Sequence, residues 1–200
     1  MVGGPRTCTG LTDRGYEQVR RVATRLAAEH RERPFTVFHA GPRLRLRQTA
    51  EIISQALQLP FITDERLDGP IHGAADGKPW FDVKTAADGG PHAHPDEPWA
   101  DGSDTWNGYL ERACRLLKEL IAQHDGDRVL IAAHGETVIA AHTLLLGIPL
   151  GSPAGFGVSH GSLTRWQRHR NRLDQRRWLL DRHNDTEHFA TPITTSGAGL

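Results

Sequence analysis

The sequence is poor in cysteine and in long apolar runs, and both shortages narrow what the protein can be. Only Cys8 and Cys114 are cysteines among its 200 residues, too few for the disulfide framework of a small secreted domain. No apolar run approaches the roughly 20 residues that cross a bilayer. The start, MVGGPRTCTG, lacks the basic and apolar regions of a signal peptide. We therefore expect a cytoplasmic protein with no membrane partner.

Net charge is also missing, because 24 Lys and Arg residues balance 24 Asp and Glu residues. This balance argues against a polycation that coats nucleic acid and against an acidic tail protein. Lysine is scarce: only Lys78, Lys84 and Lys118 are present, so the other 21 basic residues are arginines. Arginine grips phosphate and carboxylate with a planar fork. Together with 12 histidines, this composition makes anionic ligands early candidates.

Apolar periodicity predicts helices that alternate with short buried strands. Helices are expected near residues 13–30, 45–58, 103–124 and 136–146, strands near 35–39 and 128–133, and a hairpin of strands 163–168 and 177–180 around Asn171. This order indicates a single α/β domain over residues 1–200, a three-layer sandwich whose mostly parallel central sheet is flanked by helices.

The basic, Trp-containing hairpin could face nucleic acid, but a solvated edge hairpin is the favoured interpretation, so we expect no nucleic-acid partner.

Residues 64–101 show no sustained period and are rich in Gly and Pro. A stretch of this length is too long for an ordinary loop, so we expect a lid-like insertion that shapes the substrate site. It contains His92 and His94 near Asp96 and Glu97, which could hold zinc. Because no periodic element fixes these side chains, a plain loop is favoured and we expect no metal and no cofactor.

Two strand ends carry residues that suit an anion. Arg43, Arg45 and Arg47 lie where the first predicted strand passes into a helix, and a second strand ends on His134 and Gly135. Ligands collect beyond the carboxyl ends of parallel strands, and helix N-termini attract anions. Gly135 would let the backbone approach a ligand. Three solvated arginines and a hydrogen-bonded structural histidine are the alternatives.

These motifs resemble those of the histidine phosphatase superfamily, the phosphoglycerate-mutase-like enzymes. Residues 11–18 (LTDRGYEQ) are similar to the Leu-Thr-x-x-Gly-x-x-Gln element of that family, and residues 41–50 (GPRLRLRQTA) to its Ser-Pro-x-x-Arg-Ala-x-Gln-Thr-Ala element. His134-Gly135 is similar to the His-Gly that closes a later strand. Residues 183–188 (HNDTEH) resemble the Asn-Asp-x-x-His ending.

The resemblance implies hydrolysis of a phosphomonoester on a small phosphorylated metabolite through a phosphohistidine, without a metal. Arg45 and His134 would hold the phosphate and stabilise the transition state. Arg6 would contact the substrate, and so would residues at the start of the helix after the second strand, which are Gly135, Glu136 and Thr137. A homodimer is possible.

Two departures leave the activity open. The family's Arg-His-Gly nucleophile would lie on a central strand upstream of Leu11, and the chain begins too late to contain it. We therefore expect the strands on either side of that place to keep unpaired backbone groups. Either the protein starts upstream of Met1 or it is a remodelled homologue.

In the family, a Glu that acts as proton donor occupies the position where this sequence has Gly69. Asp68 is the leading substitute, followed by His72 and Glu136. The alternatives to a phosphatase are a degenerate member (a pseudophosphatase) that binds an anionic ligand or partner, and a non-phosphatase enzyme that has recruited the same pocket.

Overall fold

The computed structural model describes residues 1–190, in which helices and strands alternate as the sequence predicts. The helices are α1 (Asp13–Glu32), α2 (Leu44–Leu57), α3 (Trp80–Ala86), α4 (Trp106–Gln123) and α5 (Gly135–Leu146), and the strands are β1 (Val37–Ala40), β2 (Ile62–Thr63), β3 (Val129–Ala132), β4 (Leu163–Arg170) and β5 (Arg176–Asp185). Turns of 3-10 helix occur at Glu65–Leu67, Gly73–Ala75 and Glu187–Phe189.

Local capping sets the ends of these helices. The hydroxyl of Thr12 accepts a hydrogen bond from the backbone N–H of Gly15 and so begins α1. Gly147, with φ of 67°, takes the left-handed conformation that ends α5.

The central sheet has the order β2-β1-β3 and all its strands are parallel, with Ala40 of β1 opposite Ala132 of β3. Phe38 and Ala132 pack with the buried faces of α1 and α2, whereas Ile131 packs against the cluster that α4 and α5 form. Helices therefore cover both faces of the sheet, which confirms the predicted α/β layered class. β4 and β5 form a separate antiparallel pair.

A gap separates β3 from the β4–β5 hairpin. β3 pairs only with β1, and β4 only with β5, among residues 1–190. A cavity of about 1610 Å³ lies between them and is lined by residues 129–132 of β3 and 163–168 of β4. Its walls also include Val22 of α1 and Leu144 of α5. β3 and β4 therefore each keep one edge whose backbone groups pair with no strand of residues 1–190. This is the result expected when no central strand fills the gap between them.

The segment at residues 64–101 is built mainly from turns, and the short helix α3 within it was not anticipated. Its function as a lid stays a prediction. In the part of the chain that the structure describes, no helix has both the length and the apolar character needed to span a membrane.

The basic hairpin is largely neutralised by neighbouring acids. Arg168 pairs with Asp125, Arg165 lies 3.4 Å from Asp181, and Arg182 lies 2.7 Å from Glu29. This pairing favours a solvated hairpin over a surface for nucleic acid.

Candidate active site

The site lies at the sheet edge where β1 and β3 end. Because these strands are parallel neighbours, the helices that follow them, α2 and α5, begin side by side. Arg43 occupies the N-cap position of α2 and His134 that of α5, and neither side chain caps its own helix. Two helix N-termini and their cap residues therefore point to one place, an arrangement that attracts anions.

Arg45 and His134, the two residues singled out from the sequence, are in contact. The guanidinium nitrogen Nη2 of Arg45 lies 3.2 Å from Nδ1 of His134. Since arginine can only donate, Nδ1 accepts this hydrogen bond and the imidazole proton lies on Nε2. The guanidinium also reaches the carbonyl oxygen of Gly3 at 3.3 and 3.4 Å.

Arg43 forms the buried centre of the cluster. Its side chain is 2% exposed, and its Nε donates to Oδ1 of Asp68 at 2.5 Å. Its two terminal nitrogens donate to the carbonyl oxygens of Gly3 and Pro70. Sequence reasoning placed Arg43 at the right junction but missed this role, since buried arginines are rare and Asp68 lies 25 residues away.

Asp68 is held as an anion. Burial tends to raise its pKa, but the nearby imidazole of His134, the charge of Arg43 and a hydrogen bond from the backbone N–H of Gly69 outweigh this and lower the pKa to about 2. A carboxyl group with such a pKa carries no proton near neutrality. The contacts of Asp68 hold Arg43 and His134 in position, and its function as the proton donor stays a prediction.

His134 is buried and neutral near pH 7. Burial lowers its pKa, the contact with Asp68 opposes this shift, and the charges of Arg43 and Arg45 add to it. Its Nε2 lies 3.4 Å from Oδ1 of Asp68 and has no well-formed hydrogen-bond partner among the described residues. The imidazole N–H is thus buried beside Asp68 and makes no well-formed hydrogen bond within residues 1–190.

The first turn of α5 contains the three predicted contact residues. Gly135 and Glu136 line the cavity. Thr137 lines it as well, but its hydroxyl lies 3.2 Å from that of Tyr109 in the buried interior. This engagement leaves the Thr137 side chain less available for a ligand than the sequence suggests.

Arg6 lies at the surface. Its Nη2 donates to the carbonyl of Gly73 at 2.9 Å, and its Nε lies 3.6 Å from Asp76. Asp76 also accepts from the backbone of Gly4, so these contacts tie the N-terminal loop to residues 73–76. A contact between Arg6 and substrate stays a prediction.

Gly69 lies in a crowded place, where even a Cβ atom would meet the His134 ring closely. A Cβ built on Gly69 would lie 3.0 Å from Cδ2 of His134 and 3.4 Å from Nη2 of Arg43. His134 and Arg43 therefore occupy the space into which a side chain at this position would project.

Within residues 1–190, no group of three or more His, Cys, Asp or Glu side chains is arranged to hold a metal ion. His92 instead packs edge-on against Trp106, with ring centres 4.6 Å apart. Asp96 accepts a hydrogen bond from the side chain of Asn107.

These features define an α/β protein with a cluster of basic side chains at the carboxyl ends of its parallel strands. The family model for the histidine phosphatase superfamily (branch 1) matches residues 3–186. The chain belongs to this superfamily, as its motifs led us to expect. No curated protein matches the chain.

Several solved structures share the fold. A mycobacterial glucosyl-3-phosphoglycerate phosphatase is 21% identical, with 92% of each chain covered and a TM-score of 0.74. YhfR of Bacillus stearothermophilus is 20% identical over 94% of this chain and 90% of its own, with a TM-score of 0.74. A phosphoserine phosphatase of Entamoeba histolytica, in complex with 3-phosphoglyceric acid, is 17% identical over the same shares, with a TM-score of 0.76.

Proposed function

We propose that the protein is a phosphomonoester hydrolase that acts on a small phosphorylated metabolite. The contact between Arg45 and His134 carries this proposal, because it joins a fixed positive charge and an unpartnered N–H donor at the meeting point of two helix N-termini. A phosphate bound there would receive charge-assisted hydrogen bonds from several directions. The phosphatases named above support this function by their shared fold.

In this proposal the basic residues have distinct functions. Arg45 and Nε2 of His134 bind the non-bridging phosphate oxygens, whose charge spreads in the transition state. Arg43, with its three protein partners, fixes the pocket and adds positive potential. Asp68 fixes Arg43 and compensates its charge.

The nucleophile would come from a strand in the gap beside β3. The family resemblance assigns this function to a histidine at a strand end, and the cavity in the gap reaches Arg45 and His134. A strand parallel to β3 would end beside the phosphate. There an imidazole nitrogen would attack phosphorus as the ester P–O bond breaks and the alcohol takes up a proton, and water would then cleave the P–N bond. Hydrolysis therefore needs a segment that fills this gap.

A protein that binds an anion without hydrolysing it is the second candidate. It is favoured by the glycine at position 69, where the family resemblance places the acidic proton donor and where an added Cβ would already press on the His134 ring. The remaining alternative is a non-phosphatase enzyme that has recruited the same pocket for other chemistry.

Phosphate binding by calorimetry tests the pocket. Arg45→Gln should weaken the binding of inorganic phosphate by about 10-fold or more, because a charge-assisted hydrogen bond contributes roughly 1.5–3 kcal/mol. Arg47→Gln is the matched control, since Arg47 lies on the same helix with its side chain exposed. Equal binding by both variants would contradict the proposed pocket.

Turnover of p-nitrophenyl phosphate and acid-labile phosphate labelling test the chemistry. The chain should be compared with a form extended at its N-terminus by an apolar strand that ends in Arg-His-Gly, and with the same extension ending in Arg-Ala-Gly. Labelling of the histidine form alone would support the hydrolase. If no form is labelled or turns over substrate, although phosphate binds, the anion-binding alternative is correct.

A further inference from the structure

The β4–β5 hairpin is joined to the rest of the protein by side chains rather than by a strand ladder. Within residues 1–190 neither of its strands pairs with β3. On one side it contacts α1, where Arg25 lies 2.5 Å from Asp185 and Glu29 lies 2.7 Å from Arg182. On the other side it meets α5 through His183. The position of the hairpin therefore depends on a few polar contacts.

The contact with α5 is a pair of imidazole rings. Nε2 of His142 lies 2.9 Å from Nδ1 of His183, in the one hydrogen bond that joins α5 to the hairpin within the described residues. His142 is completely buried. Its other ring neighbours are Phe156, with centres 4.3 Å apart, and Trp166, with centres 5.5 Å apart. Neither neighbour can take up a proton, so the acid response of this contact is that of the two histidines.

The number of protons on the pair decides whether this hydrogen bond can form. A neutral imidazole has one N–H donor and one acceptor nitrogen, so in the neutral pair a single hydrogen lies between the facing nitrogens. One added proton keeps the bond, because an imidazolium can donate to a neutral imidazole. A second added proton places a hydrogen on both facing nitrogens, and repulsion between two positive rings replaces the bond.

The closed contact disfavours this second proton. Burial lowers the pKa of His142 from 6.5 to about 4, and the positive charge of His183 acts in the same direction. On the side of α4, the nearest titratable group is the thiol of Cys114, which donates to the carbonyl oxygen of Ala140 at 3.3 Å and not to the histidine pair. His142 therefore gains a proton readily only when the contact opens.

The contacts of the hairpin with α1 respond differently to acid. The hydrogen bond from Arg25 lowers the pKa of Asp185 to about 2, so this ion pair keeps its charges at pH 5. His188 also lies on this side, where Arg25 donates to its Nδ1 at 3.3 Å and its Nε2 donates to the carbonyl oxygen of Gly161 at 2.9 Å. Burial lowers the pKa of His188 as well. It is thus the competing source of an acid response in this region.

We propose that His142 and His183 form an acid-sensitive clip, in which protonation of both imidazoles releases the β4–β5 hairpin from α5 and widens the gap beside β3. Phe156 and Trp166, which pack against the clip, line that gap. The clip is independent of the proposed function, because the histidine pair shares no contact with Arg45. Either proposal can fail without the other.

Proton linkage gives the size of the effect. When the clip is open, His142 titrates near its ordinary pKa of 6.5, whereas the closed clip holds the pKa at about 4. Because the pKa is lower in the closed state, the stabilisation of the clip is fully present above pH 6.5 and is lost as the pH falls through about 4. The equilibrium constant for opening should therefore rise by about 20-fold between pH 7 and pH 5.

Amide hydrogen exchange at these two pH values measures the opening. A detached two-stranded hairpin is only marginally stable, so the amides that pair β4 with β5 exchange when the clip opens. Their exchange rates, corrected for the intrinsic effect of pH, are compared with those of β1. The ratio should rise by about 20-fold from pH 7 to pH 5, and an unchanged ratio would overturn the clip.

Two variants assign the response to a particular histidine. His142→Gln keeps a hydrogen-bonding side chain that takes up no proton, so it should remove the pH dependence. His188→Gln, the matched control on the α1 side of the hairpin, should retain it. The reverse result, or a dependence that survives in both variants, would contradict the clip. If His142→Gln does not fold, His183→Gln replaces it, and the same loss of pH dependence is expected because the second positive ring is absent.

Discussion

Replacing Asp68 by Asn should show how strongly the buried ion pair holds the site together. The change keeps the size of the side chain and one acceptor oxygen but removes the charge opposite Arg43, whose side chain is 2% exposed. The pKa of Asp68 falls from 3.8 to about 2 on folding. At about 1.4 kcal/mol per pKa unit, the carboxylate contributes about 2 kcal/mol to the free energy of unfolding at neutral pH.

The same pKa values set the pH dependence. Because the pKa of Asp68 is lower in the folded state, its contribution is fully present above the unfolded value of 3.8 and is lost as the pH falls through about 2. The destabilisation caused by Asp68→Asn should therefore be about 2 kcal/mol at pH 7 and about half of that at pH 3.

Urea unfolding, followed by tryptophan fluorescence at both pH values, measures this difference. Asp125→Asn is the control, since Asp125 pairs with Arg168 at the surface and is 59% exposed, and the change should cost less than about 0.5 kcal/mol. If Asp68→Asn costs no more than this control, or costs the same at pH 3 as at pH 7, the ion pair does not hold Arg43 as argued.

Three further predictions concern the crowded glycine, a helix cap and the strand edges. Gly69→Ala should destabilise the protein by about 1–3 kcal/mol in thermal unfolding, because its Cβ would press on His134, whereas Gly155→Ala, with open space around it, should not. Thr12→Ala should cost about 1 kcal/mol through loss of the α1 cap, and the preserved stability of Thr12→Ser would confirm the cause. Amide hydrogen exchange should be roughly 10-fold faster or more at the edges of β3 and β4 that face the gap than in β1, and uniform protection would contradict the unpaired edges.

The helices and buried strands could be predicted because each has a local signal. Apolar spacing and the Thr12 cap determine α1, and Gly147 ends α5. β2 has only two residues, both exposed, and α3 has seven, so neither is long enough for periodicity to appear. Their formation depends on contacts that are remote in sequence.

The site was predictable in part for the same reason. Arg45 and His134 follow strands, so their meeting could be inferred from the rule for parallel sheets. The pairing of Arg43 with Asp68, and the burial of His72 against two tryptophans, depend on how the segment at residues 64–101 folds back on the sheet. No local pattern in that segment indicates this arrangement, and the identity of the most buried arginine was therefore missed.

The register of the sheet explains why so few residues suffice to form the site. Ala40 and Ala132 lie opposite each other at the last pairs of β1 and β3, and both are small and almost fully buried. His134 follows two residues after one strand, and Arg43 three residues after the other. A shift of one residue in this pairing would separate the Arg45 and His134 side chains by a further rise of about 3.3 Å. The contact between Arg45 and His134 therefore depends on the β1–β3 ladder, the one strand pairing that β3 makes within residues 1–190.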